Sequence, residues 1–235
     1  MSRDDWYRQT VWSPTQETSF FQRLARTRSP FHRAQYLRIQ ALTLAETGHS
    51  SNLRVALGLL ERIFADYADA FDVPMAYLQA ARCHDALGII EAASQHFEQA
   101  LAEQSKSPNY RTGVTLEFPW FIVRNGMVKL YDRAREVLVS VDSVFPIQRF
   151  KECTCRALIA AHRGERVAAQ ASAQAALQAA RLRRSPFARH SSVGLVGDEY
   201  REWIERLEAL VSTQLGSQPT ARREIMSPNG RGRLA

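Results

Sequence analysis

The stretch that decides the fold reads HDALGIIEAASQHFEQALAE and covers residues 84–103. Gly88 interrupts an apolar, helix-favouring run, and Ala93, Phe97 and Ala100 follow it at helical spacing. Glycine adopts the left-handed conformation that ends many helices, and alanine is small enough to lie where two helices cross closely. The stretch therefore predicts a helix that ends at Gly88 and a second helix that turns back and packs against the first.

Similar helical patterns occupy most of the chain, with apolar residues at three- and four-residue spacing and no convincing run of alternating β-branched residues. Breaks fall at Gly48, Gly88 and Gly164, and Lys129 occupies the equivalent place in a third pair. These positions are separated by 40, 41 and 35 residues. Near-constant intervals of this size predict about four stacked helix pairs.

Residues 74–107 resemble a tetratricopeptide repeat, in which small residues occupy the places where neighbouring helices cross. The matching positions are Tyr77, Ala81, Gly88, Ala93, Phe97 and Ala100. Weaker matches extend over residues 30–183, and the first pair fits only with an inter-helix turn about three residues too long. The resemblance implies an all-α fold, a right-handed α-solenoid of about four helix–turn–helix pairs whose first helices line a concave groove. The opening of the chain also resembles a group of uncharacterised bacterial helical-repeat proteins, which implies no activity.

The chain is expected to contain four segments. Residues 1–29 form an N-terminal cap, in which Trp6, Tyr7, Trp12, Phe20 and Phe21 cover the apolar side of the first hairpin. A binding patch is the alternative interpretation of these aromatic residues. Residues 30–183 form the helical-repeat domain, residues 184–215 a loop and a C-terminal capping helix, and residues 216–235 a disordered basic tail.

Composition favours an ordinary globular protein in a reducing, bacterial-type cytoplasm. The chain has 235 residues and only three cysteines, too few for a disulfide framework. We find no secretory signal and no apolar run of the roughly 20 residues needed to cross a bilayer, so no membrane partner is expected. The net charge of +7 comes from two short segments: residues 181–190 with four arginines, and the tail after Val211 with four arginines and one glutamate.

No set of residues predicts an enzyme, a cofactor or a metal site. Cys153 and Cys155 are two positions apart, so on a regular helix they point in different directions and cannot chelate one ion. We interpret them, and Cys83, as buried small apolar residues. His84 and His96 lie on consecutive predicted helices and could face each other, but no HExxH motif accompanies them.

An arginine-rich loop gives the strongest local indication of chemistry. Arg184, Arg189, His190 and Ser191 could hold a phosphate or a carboxylate. The same residues could equally form a solvated loop or cap the last carbonyls of the preceding helix.

We expect a non-enzymatic protein–protein interaction module, an adaptor, scaffold or partner-specific inhibitor that binds a peptide or a helix in the concave groove. The first alternative is nucleic-acid or anion binding through residues 181–190 and the basic tail, and the second is an enzyme with a site around His190. If the repeat alignment holds, the groove is lined by cations, one acid and exposed aliphatic side chains. These are Gln35, Arg38, Leu42, Met75, Leu78, Arg82, Asp85, Lys151, Leu158 and His162.

Overall fold

A computed structural model describes residues 5–107, 109–185, 187 and 189–212. Helices are the regular structure throughout these ranges, and no strand occurs in them, which confirms the all-α prediction. The predicted tail of residues 216–235 lies outside the described residues. The α-helices are α1 (Pro14–Arg26), α2 (Pro30–Ala45), α3 (Ser50–Asp66), α4 (Val73–Ala86), α5 (Ile90–Ser105), α6 (Val114–Arg124), α7 (Tyr131–Leu138), α8 (Pro146–His162), α9 (Arg166–Ala180) and α10 (Arg201–Ser212). Within the described ranges, none of them is both long enough and apolar enough to cross a membrane.

Glycines in the left-handed conformation follow α2, α4, α6 and α8. Gly48, Gly88 and Gly164 have φ angles of 71°, 73° and 74°, as the sequence predicts. The third break is Gly126, with φ of 61°, and its assignment to Lys129 is wrong. Lys129 instead lies in a short 3₁₀ turn, Val128–Leu130, that precedes α7. The glycines are therefore separated by 40, 38 and 38 residues. These intervals are more regular than the 40, 41 and 35 residues expected from the sequence.

The first hairpin has the same short turn as the others. α3 begins at Ser50, two residues after Gly48, as α5 begins two residues after Gly88 and α9 two after Gly164. The longer turn expected in the first pair is therefore wrong. Residues five, nine and twelve positions after each of these glycines are buried: Leu53, Leu57 and Leu60; Ala93, Phe97 and Ala100; Ala169, Ala173 and Ala176.

The described chain divides into two compact units, a first unit up to Asp142 and a second unit from Ser143. In the first unit, each helix from α2 to α7 packs against the next, and α2 also contacts α4. This boundary falls inside the predicted repeat domain of residues 30–183 rather than at its ends. The physical reason is that α10 packs against α8 and α9, so these three helices share a core of their own.

The segment before α2 packs on the first hairpin. Phe20 of α1 is fully buried in the core that α2 and α3 form. The Trp6 ring centroid lies 5.3 Å from that of Phe20 and 5.0 Å from that of Tyr36 on α2. The Gln40 side chain accepts a hydrogen bond from the Gln9 backbone N–H (2.9 Å) and donates one to the Gln9 carbonyl (2.7 Å). Because this buried amide satisfies both backbone groups, it fixes the N-terminal segment to α2.

The second unit buries Phe150 of α8, Ala173 and Ala176 of α9, and Leu207 of α10 in one core. The Tyr200 ring packs edge-on against Phe150, with centroids 5.4 Å apart. The predicted C-terminal helix is therefore present as α10, and it covers α9 with an apolar side centred on the fully buried Leu207.

Candidate functional site

The groove residues predicted on α2 are half-buried, and the cation among them is already paired. Arg38 Nε lies 3.0 Å from Asp72 Oδ2, and the Tyr110 hydroxyl donates a 3.1 Å hydrogen bond to Asp72 Oδ1. Burial raises the pKa of Tyr110 to about 12, and the charge and hydrogen bond of Asp72 add to the effect. Gln35 and Leu42 flank this arrangement. Arg38 thus connects α2 to the residue just before α4, which leaves it less available for a ligand.

On α4, the predicted groove residues have mixed environments. Met75 is half-buried, whereas Leu78 is fully buried, so its prediction as an exposed groove residue is wrong. The reason is that α4 contacts α2, α3 and α5, which leaves little of its surface open. Arg82 donates to both oxygens of Glu117 on α6, and its Nε lies 2.7 Å from Oε2. Asp85 accepts a hydrogen bond from Arg124, at the end of α6.

These ion pairs have a common spacing along the chain. Arg38 and Asp72 are 34 residues apart, Arg82 and Glu117 are 35 apart, and Asp85 and Arg124 are 39 apart. A fourth pair, Glu98 on α5 with Arg133 on α7, has a separation of 35 residues. Sequence reasoning missed the partners Asp72, Glu117 and Arg124. Opposite charges one repeat length apart were the signal that could have found them.

Arg38, Asp72, Arg82, Asp85, Glu117 and Arg124 form what we call the paired-charge face of the first unit. It holds three cations and three anions, so its formal charge is neutral. Each positive group is directed at a carboxylate of the protein itself. The face therefore offers neutral polar contacts rather than a free charge.

The groove residues predicted on α8 belong to the second unit. Leu158 is 8% exposed, so it is a core residue and its prediction as an exposed aliphatic is wrong. The α8 residues 152–155 and 157–160 are all buried, so this part of the helix has little open surface. His162 is exposed at the end of the helix. Lys151 Nζ lies 5.5 Å from the centroid of the Tyr200 ring, a distance at which the cation interacts with the aromatic face.

The predicted anion-binding residues Arg184, Arg189, His190 and Ser191 all have exposed side chains. The Ser191 carbonyl accepts a 2.8 Å hydrogen bond from Ser185, and the His190 N–H donates a 3.0 Å hydrogen bond to Phe187. These backbone bonds order the loop. Of the four residues, only Arg184 lines the cleft described next.

A cleft with a volume of about 490 Å³ lies between the start of α8 and the end of α9. Val144, Phe145, Pro146 and Arg149 line its α8 side. Its other side consists of Ala175, Gln178 and Ala179 of α9, followed by Leu182, Arg184 and Ser185. The cleft brings Arg184 together with Arg149, which sequence reasoning missed. No local motif links two arginines on different elements, so only the packing of α8 on α9 reveals the pair.

The two cleft arginines differ from those of the paired-charge face in their surroundings. Among the described residues, no carboxylate forms an ion pair with Arg149 or Arg184. Glu152, one helical turn from Arg149, pairs with Arg156 at 3.1 Å and accepts a 2.7 Å hydrogen bond from Ser143. Two unpaired guanidinium groups beside apolar side chains can bind an anion that has an apolar part.

The two histidines face each other as the sequence suggests. The ring centroids of His84 and His96 lie 4.9 Å apart, and His96 Nδ1 is 2.8 Å from the Ala92 carbonyl oxygen. Burial, followed by the neighbouring His96, lowers the pKa of His84. Across the described residues, no group of three or more His, Cys, Asp or Glu side chains could hold a metal ion.

The cysteines are buried free thiols, as predicted for Cys83, Cys153 and Cys155. Burial raises the pKa of Cys83 to about 11 and also raises the pKa of Cys153 and Cys155. Thiols with raised pKa values are weak nucleophiles at neutral pH, because the reactive thiolate is scarce.

No protein-family model matches the chain, and neither a curated protein nor a solved structure shows significant similarity to it. The resemblance to tetratricopeptide repeats therefore stays a prediction from the residues themselves.

Proposed function

We propose that the protein is a non-enzymatic interaction module of the helical-repeat type, a right-handed stack of helical hairpins that binds a peptide or helix of a partner protein. The proposed binding surface in the first unit is the paired-charge face and the half-buried side chains beside it. Adaptor, scaffold and partner-specific inhibitor are the roles that such a surface serves.

The observation that carries the proposal is the spacing of the ion pairs. Arg38–Asp72, Arg82–Glu117 and Asp85–Arg124 connect residues 34 to 39 positions apart, close to the intervals between the helix-ending glycines. Each pair thus links one hairpin to the next through its first helix. A stack of hairpins presents the first helices of successive repeats along one surface, which is the usual binding surface of such proteins.

The surroundings of these pairs favour a protein ligand. Gln35, Leu42 and Met75 are half-buried beside the paired charges, so the surface mixes amide, aliphatic and thioether groups. Because the charges compensate each other, the face lacks the excess of cations that drives binding to nucleic acid. Mixed polar and apolar contacts along helices suit an extended peptide or an amphipathic helix.

Site-specific photocrosslinking in cells tests this proposal. A photoreactive amino acid at Gln35 or Met75 should capture a defined protein, and the same amino acid at Gln99, exposed on α5, is the matched control. Capture of one protein at Gln35 and Met75 but not at Gln99 is the expected result. Equal capture at all three positions, or none at any of them, would count against the proposed surface.

Nucleic-acid binding remains a second candidate, because Arg181, Arg183 and Arg189 are exposed and form no ion pair among the described residues. Binding of this kind releases counterions, so its affinity falls steeply with salt. Replacing the three arginines with glutamine should then remove most of the affinity for duplex DNA or RNA. Weak binding that the triple variant leaves unchanged would exclude this segment as the binding element.

A further inference from the structure

We propose that the cleft of the second unit binds a small amphiphilic carboxylate, with the anionic head between Arg149 and Arg184 and the apolar body against Val144 and Leu182. This site is separate from the proposed partner-binding face of the first unit, and it does not depend on it.

The positive side of the cleft is built from two elements. Arg149 lies in the first turn of α8, and Arg184 follows the end of α9. Their guanidinium groups have no carboxylate partner among the described residues. The backbone N–H groups of Val144 and Phe145 both donate to the Gln148 side chain at 3.0 Å, so they are already used. Arg149 and Arg184 are the charged side chains among the lining residues described, so they are the groups that would hold the anion.

The apolar side of the cleft is accessible to solvent. Val144 is 56% exposed and Leu182 is 51% exposed, on opposite sides of the cleft. The neighbouring Phe145 ring is held by two contacts. It stacks on Phe187, with centroids 5.1 Å apart, and it lies so close to Gly194 that a Cβ atom at that position would overlap the ring. A rigid wall with exposed aliphatic side chains gains free energy when a ligand covers it.

Size and charge together select the ligand class. The volume of about 490 Å³ lies within the range of roughly 300–1,000 Å³ for small-molecule sites. A free phosphate would pair with the arginines but leave the apolar wall uncovered. A neutral apolar molecule would leave both cations without a partner. A monocarboxylate with a short hydrocarbon body satisfies both sides.

Isothermal titration calorimetry on the full chain tests the proposal with three probes: octanoate, acetate and octanol. Octanoate should bind. Acetate and octanol should each bind at least about tenfold more weakly, because acetate lacks the hydrocarbon body and octanol lacks the carboxylate. Arg149→Gln and Arg184→Gln should each weaken octanoate by about tenfold or more. Arg181→Gln is the matched control, three positions from Arg184 and outside the cleft lining, and it should leave the affinity unchanged.

Leu182→Gln gives a second, independent variant on the apolar side, and it should weaken octanoate while leaving acetate unaffected. Circular dichroism checks that each variant keeps its helix content. Equal binding of octanol and octanoate, or equal losses in Arg181→Gln and Arg184→Gln, would overturn the proposal. The absence of octanoate binding would also overturn the proposal. This holds even if a peptide with a free apolar C-terminus binds through the same arginines.

Discussion

Two sets of arginines, one in each unit, have opposite surroundings. In the first unit, Arg38, Arg82 and Arg124 each contact a carboxylate on another element. In the second unit, Arg149 and Arg184 share a cleft without an acidic partner among the described residues. The same residue type thus connects successive hairpins in the first unit and lines a cleft in the second.

This difference shows why net charge alone says little about function. Arg38, Arg82 and Arg124 each have a carboxylate partner that compensates their charge, so they contribute mainly to how helices pack. An arginine without a carboxylate partner does not destabilise the folded state as long as water solvates its guanidinium group. A ligand anion can replace that water. The local partner of each cation, rather than the total of +7, is therefore the basis on which we propose a ligand site.

The largest effect we expect follows from enlarging a side chain inside one of the hairpins that the arginines connect. Ala93 is fully buried in α5, which packs on α4. Ala93→Leu should overpack this contact and lower the free energy of unfolding by up to about 3 kcal/mol. Urea denaturation measures this change in the free energy of unfolding. The control is Ala102→Leu, at an exposed position of the same helix. A neutral result for Ala93→Leu would mean that α5 does not pack on α4 as described.

A slightly smaller loss is expected from Arg38→Gln. The Arg38–Asp72 pair is largely shielded from water, with side-chain exposures of 18% and 12%. Removing the cation leaves Asp72 with Tyr110 as its remaining hydrogen-bond partner, at a cost of about 2 kcal/mol. Thermal or urea unfolding checks this value against Arg28→Gln, an exposed arginine before α2. Equal stability of the two variants would show that the pair does not hold α2 to α4.

The Arg82–Glu117 pair is more exposed, so its contribution should be smaller. A double-mutant cycle with Arg82→Gln and Glu117→Gln should give a coupling free energy of about 0.5–1 kcal/mol. Salt should reduce this coupling, because solvent ions screen exposed charges. A coupling near zero at low salt would remove this pair from the set that connects hairpins.

The smallest expected effect is a pH dependence that comes from His84. Its pKa is lowered, mainly by burial, so between the folded pKa and the ordinary value of 6.5 the unfolded chain binds more protons. Stability should therefore fall as the pH drops below 6.5. His84→Leu should lose less stability than the wild type between pH 7.5 and 5.5 in urea titrations. An identical loss in both proteins would assign the pH dependence to other groups.

Much of the helix punctuation could be predicted from the sequence, because it depends on local chemistry. Ser29 caps α2 by accepting a hydrogen bond from the His32 N–H, and Pro30 starts the helix. Gly48 and Gly88 end their helices in the conformation that glycine favours. Gly126 was missed because the 3₁₀ turn after it delays α7, so the periodic pattern resumes later than in the other hairpins.

The candidate sites were less predictable, because they depend on contacts distant in the sequence. The repeat positions of Leu78 and Leu158 predict exposed side chains, yet both are buried, because helices that pack on several neighbours bury more than one side. Arg184 was identified from the local density of arginines, whereas Arg149 lacks such a signal. Its place in the cleft follows only from the packing that brings the start of α8 beside the end of α9.

The most direct test of the contrast between paired and unpaired arginines is urea unfolding of two double variants measured side by side. Arg82→Gln/Arg124→Gln removes paired cations of the first unit, and Arg149→Gln/Arg184→Gln removes the cleft cations. We predict a loss of about 1–2 kcal/mol for the first double variant and a change within about 0.5 kcal/mol for the second. Equal losses, or a larger loss for the cleft variant, would contradict the account.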